Sequence, residues 1–131
     1  MTKEAYVSFE IAKLLKEKEF DEEVNWYYDS EGFCEPCSSW VKSCPHDYCP
    51  MPTHQMACAW LRNKEIIIDI LAQSNKTTSP EYMFNIWDYS ATQWNKHICE
   101  YQPAFVEQEF DFTTYEDAVE AALKYSLENL L

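Results

Sequence analysis

One glycine, Gly32, serves a chain of 131 residues, and that scarcity limits the fold more than any motif does. Glycine supplies the positive-φ positions of tight hairpins, phosphate-cradling loops and repeat corners. A chain with one glycine must turn through Asn, Asp, Ser and Pro. Nucleotide-binding Gly-rich loops and glycine-dependent repeats are therefore disfavoured. The length suits a single domain over residues 1–131, with room for one hydrophobic core.

The second constraint is Phe33 to Pro52, FCEPCSSWVKSCPHDYCPMP, with four Cys and four Pro in twenty residues. Proline removes backbone donors and fixes φ, so no long helix or strand fits there, and residues 33–52 read as an irregular loop within the domain. Around it the periodicities are clear. Ser8 is a candidate N-cap for a helix carrying Val7, Ile11, Leu14 and Leu15 and ending near Glu19. Asn25 to Asp29 reads as a short edge strand. From Thr53, the residues Met56, Ala57, Trp60 and Leu61 form one helical face. EIIIDILA follows almost without a loop and, apolar on both faces, reads as an interior strand.

Gln73 to Glu81 is a polar connection, and Tyr82 to Tyr89 reads as a second strand. SATQ reads as a turn, Trp94 to Tyr101 as a third strand, and Phe105 to Phe110 as a fourth strand or merely extended chain. The last element has Thr113 with Glu116, or Thr114 with Asp117, as capping pairs. Behind them a broad apolar stripe runs from Tyr115 to Leu130. The expected class is α+β: an antiparallel sheet of three to four strands with about three helices packed mainly on one face.

The formal charge is -13, from 23 Asp and Glu against 10 Lys and Arg. Nucleic acid is a poor partner for such a surface, because phosphate binding depends on cationic side chains. Solubility is the plain reading of the acidity. The sharper one is an acidic face that occupies a basic protein partner. No apolar run reaches the ~20 residues a membrane helix needs, and the first residues lack a signal-peptide pattern. A cytoplasmic address is expected, where thiols are usually reduced.

Six Cys are then thiols or metal ligands before they are disulfides. Cys34, Cys37, Cys44 and Cys49 could supply the four corners of a structural zinc site, with His46 or His54 as substitutes. Cys34 and Cys37 have the usual two-residue spacing, whereas Cys44 and Cys49 are four apart and less usual. Unbound thiols in an irregular loop are the commoner outcome. Cys58 and Cys99 read as packing residues, and Asp69 as the one carboxylate in a buried-looking strand. Cys49 or Cys58 with His54 could be written as a nucleophile and base, but nothing in the spacing selects such a pair. The aromatic side chains, five Trp, nine Tyr and seven Phe, serve either a core or a binding surface.

Three segments together carry a resemblance: YVSFEIAKLLKEKEFDE, MPTHQMACAWLR and FDFTTYEDAVEAALKYSLENLL. They resemble small uncharacterised proteins encoded by gut Bacteroidales genomes and their phages or mobile elements. The resemblance spans about half the chain and implies a cytoplasmic protein of phage-related origin. It carries no activity, cofactor or site residue, and Cys34 to Cys49 lies outside it. The expectation is a non-enzymatic interaction or accessory module whose partner is another protein. A zinc-stapled accessory protein is the alternative, an unrecognised hydrolase or thiol enzyme a third class, and homo-oligomers stay open because the terminal stripe needs burial.

Overall fold

The computed structural model describes residues 5–36, 48–73 and 79–131. The elements in order are α1 (Phe9–Glu17), β1 (Trp26–Tyr28), β2 (Cys34–Pro36), β3 (Cys49–Pro50), α2 (His54–Arg62), β4 (Ile66–Gln73), β5 (Glu81–Asn95), β6 (Glu100–Phe112) and α3 (Tyr115–Asn129). The fold is α+β, with three helices and two antiparallel three-stranded sheets among the described residues. The chain divides into two compact units, one of Met1–Trp60 with Leu123–Leu131, the other of Leu61–Ala122.

In the first unit, Ser8 caps α1 by accepting from the Ile11 amide at 3.3 Å, as its position before the helix predicts. The helix buries Ile11, Ala12 and Leu15 and packs on β3. It stops two residues earlier than expected, because Glu19 adopts φ 63 and breaks the helical run. The small sheet has the order β2-β1-β3, so β1 is its centre and not the edge strand the sequence suggests. The two short strands that flank it lie at the two ends of the Cys/Pro-rich stretch, where proline still permits two or three extended residues. Buried Tyr28 donates its hydroxyl hydrogen to the Val7 carbonyl, tying β1 to the segment that enters α1. Thr53 caps α2 through the Met56 amide at 3.1 Å.

Ser126 lies in the same unit, on the part of α3 that buries Leu123 and Leu127. Its hydroxyl is fully buried with no hydrogen-bond partner among the described residues. A hydroxyl removed from water without compensation costs free energy, so Ser126→Ala should raise stability by roughly 1 kcal/mol. Urea denaturation would show this as a higher midpoint at unchanged slope. A loss of stability would mean that the hydroxyl has an unseen partner.

The second unit is built on the β4-β5-β6 sheet. Ile66, Ile68 and Ile70 lie in register with Asp88, Ile86 and Phe84, and Phe84 and Ile86 are fully buried. The opposite face carries Ile67 beside Trp87, Asp69 beside Asn85, and Leu71 beside Met83. β4 is an edge strand, not an interior one, and Asp69 is exposed. Apolar residues on both faces of β4 therefore do not mark an interior position.

The larger correction concerns β5 and β6. SATQ is not a turn: β5 runs continuously from Glu81 to Asn95, and the reversal falls at residues 96–99, inside the stretch read as a third strand. Residues 105–110 belong to a β6 of thirteen residues. What makes SATQ look like a turn is a large bulge. Asp88 pairs with Ala104 and Thr92 with Pro103, so Tyr89, Ser90 and Ala91 have no opposite number. The Asp88 carboxylate accepts from the Ser90 amide at 2.9 Å and from its hydroxyl, which holds the bulge. Thr114 caps α3 through the Asp117 amide at 3.0 Å, selecting one of the two capping pairs.

Candidate functional site

Two of the four candidate zinc ligands are described. Cys34 on β2 and Cys49 on β3 stand on either side of β1, both opposite Tyr28. Opposed residues share a face, so both thiols project to the Tyr28 side of the sheet. Two strand spacings separate their backbones by roughly 10 Å, beyond the reach of a direct disulfide. Cys34 is exposed and Cys49 buried. Cys37, Cys44 and His46 lie outside the described residues, and His54, the first residue of α2, is buried. Among the described residues no group of three or more His, Cys, Asp or Glu side chains could hold a metal ion.

Burial pushes the Cys49 thiol up, while Lys16 and Lys13 pull it partly back. The neutral thiol is thus the favoured form in the folded protein. Its stabilising contribution is complete below the ordinary thiol range and is lost as pH rises through the shifted value. A buried thiol with this shift should react with maleimide roughly tenfold or more slowly than exposed Cys34 and Cys99 at neutral pH. Peptide mass mapping after timed labelling would measure it, and equal rates would contradict the burial of Cys49.

Cys58 is half-buried on α2. Cys99 is not a packing residue in a strand: it is exposed in the β5–β6 turn at φ 54, with its thiol directed to the Lys96 carbonyl at 3.8 Å.

The most distinctive surface lies where β5 and β6 outrun β4. β4 pairs with β5 only over Glu81 to Asp88, and beyond the bulge β5 and β6 continue as a two-stranded ribbon. Along the ribbon Gln93 faces Gln102, Trp94 faces Tyr101, and Asn95 faces Glu100. Trp94 and Tyr101 meet edge to face at 5.1 Å and are 55% and 71% exposed. Nearer the sheet, Trp87 and Phe105 make the same contact at 5.1 Å. A cleft of about 450 Å³ sits there, bounded by Trp87, Trp94 and Phe105 with Gln93, Asn95 and Gln102. Asn95 donates to Gln102 at 2.9 Å and accepts from the His97 amide at 2.9 Å, fixing the carboxamide wall and the turn together.

This surface is missed when Trp94 to Tyr101 is taken as one strand. The available signal is the polar run Asn95-Lys96-His97 between two aromatic stretches, together with Pro103 two residues after Tyr101. No helix among the described residues is long and apolar enough to cross a membrane. No family model matches the chain, and no curated protein or solved structure is found to be similar to it.

Proposed function

We propose that this protein is a non-enzymatic interaction module that engages another protein through the aromatic end of the β5–β6 ribbon. The observation that carries the reading is the Trp94–Tyr101 pair, largely exposed on an extension that no third strand covers among the described residues. Trp and Tyr are the side chains most often responsible for binding energy at protein interfaces. The net charge of -13 favours a basic partner and disfavours nucleic acid. Phage-related origin and a host-directed, cytoplasmic role belong to the same proposal and rest on the resemblance alone.

The test uses the tagged protein and its Trp94→Ala/Tyr101→Ala variant as baits in a Bacteroidales lysate, with quantitative mass spectrometry. A partner captured by the native chain should bind the variant at least about thirtyfold more weakly, the equivalent of roughly 2 kcal/mol for one hot-spot residue. Both residues are exposed, so their circular dichroism spectra should coincide. A partner that binds both baits equally would overturn the assignment of this surface.

A zinc-stapled accessory protein is the second reading: Cys34 and Cys49 lie on one face of one small sheet, but with Tyr28 and roughly 10 Å between their backbones a single tetrahedral ion would take only one of the two. Cys37 and Cys44, with His46 or His54 as substitutes, would complete the site. Elemental analysis of protein purified without added metal decides it. Stoichiometric zinc supports the staple, and its absence rejects it.

A further inference from the structure

Pro103 fixes which backbone groups of the ribbon are left open. Thr92 is opposite Pro103, and proline has no N–H to give. That pair must therefore be a non-hydrogen-bonded one. Antiparallel pairs alternate, so Gln93–Gln102 is hydrogen-bonded, Trp94–Tyr101 is not, and Asn95–Glu100 is again. The N–H and C=O groups of Thr92 and Trp94 consequently face away from β6. They lie on the side of β5 that β4 occupies further along, where the Tyr89 amide still donates to the Glu65 carbonyl at 2.8 Å. At Glu65, φ 67, the chain leaves that line. Among the described residues no strand follows β4 along Thr92 to Asn95.

We propose that this open edge takes an extended peptide segment of the partner as a third strand, hydrogen-bonded to the backbone of Thr92 and Trp94. The proposal rests on the interaction reading above and gives that partner a chemistry. A two-stranded ribbon is marginal in water, and a third strand both satisfies the open groups and covers apolar surface. Residues alternate faces along a strand, so the added segment meets two different surfaces. One is the Thr92, Trp94, Tyr101 and Pro103 side, which suits an apolar residue. The other is the Gln93, Asn95, Gln102 and Glu100 side, where the amides and the Glu100 carboxylate suit Lys or Arg. The peptide that fits alternates apolar and basic residues and has no proline at its paired positions.

A random dodecapeptide library, selected on the full chain, tests this. Enriched peptides should show the apolar–basic alternation and slow hydrogen exchange at the Thr92 and Trp94 amides. Thr92→Pro removes one outward donor without touching the bonds to β6, and should weaken a selected peptide at least tenfold, whereas Thr92→Ala should not. N-methylation of the peptide at alternate residues supplies the same test without altering the protein. Three results would overturn the proposal: no enrichment, enrichment of proline-rich peptides, or binding that Thr92→Pro and N-methylation both leave intact. Binding lost in Trp94→Ala/Tyr101→Ala but kept in Thr92→Pro rejects strand addition while leaving the aromatic surface in place.

Discussion

Replacing Phe84 by alanine is expected to lower the unfolding free energy by about 3–5 kcal/mol. Among the described residues Phe84 is the largest fully buried side chain, on the central strand of the β4-β5-β6 sheet. It sits opposite Ile70 and stacks on Phe112 with ring centroids 5.8 Å apart. Truncation removes the transfer free energy of a phenyl ring and leaves a void that neighbours on a hydrogen-bonded sheet cannot easily close. Against a total stability of roughly 5–15 kcal/mol, that is a large fraction. Urea denaturation followed by far-ultraviolet circular dichroism would measure it. A change below about 1 kcal/mol would mean that Phe84 is not packed as described. Phe110, on the neighbouring strand but exposed, is the control, and its truncation should move stability by no more than about 1 kcal/mol.

The second large effect falls on the single glycine. Gly32 adopts φ +88 in the turn between β1 and β2. Its amide donates to the Asp29 carbonyl at 3.0 Å, and the Asp29 carboxylate accepts from the amides of Glu31 and Phe33. A Cβ at position 32 would stand 2.8 Å from Cδ2 of Phe9. That ring has little room to retreat, being held against Tyr28 at 5.4 Å and covered by the Lys13 ammonium at 4.7 Å. Gly32→Ala should therefore cost about 2–3 kcal/mol, from the positive φ and the displaced ring together. Gly32→Ala combined with Phe9→Ala separates the two. If the ring contributes, the double variant loses less than the sum of the singles in the same denaturation assay. Strict additivity would leave backbone strain as the whole cause.

How far the fold was legible depends on whether the deciding signal was local. Ser8 caps the helix its position announces, Thr53 caps the helix that the pattern starts there, and Thr114 is one of the two capping pairs offered for α3, because a capping hydroxyl acts within three residues. β4 and the first half of β5 follow from apolar periodicity. The β5–β6 hairpin does not, because its bulge at Tyr89 to Ala91 depends on the register with Pro103 twelve residues further on. Glu19, Glu65, Cys99 and Asp111 also take positive φ without glycine, so the scarcity of Gly is a weaker guide to turns than it first suggests. The candidate site was the least legible part. Trp94 and Tyr101 have the composition of core residues, and only the end of β4 leaves them uncovered.

The sequence by itself determined the α+β class, the three described helices, the Ser8 cap and the acidic charge. Each of these rests on side-chain chemistry or on contacts a few residues apart. The tertiary structure alone decided that β1 is central and β4 an edge, that Cys34 and Cys49 flank Tyr28, and that Thr92 and Trp94 open outward. These are matters of strand order and register, set by pairings between distant segments; even Pro103, whose missing N–H fixes the hydrogen-bonding phase of the ribbon, does so only once its partner is known to be Thr92.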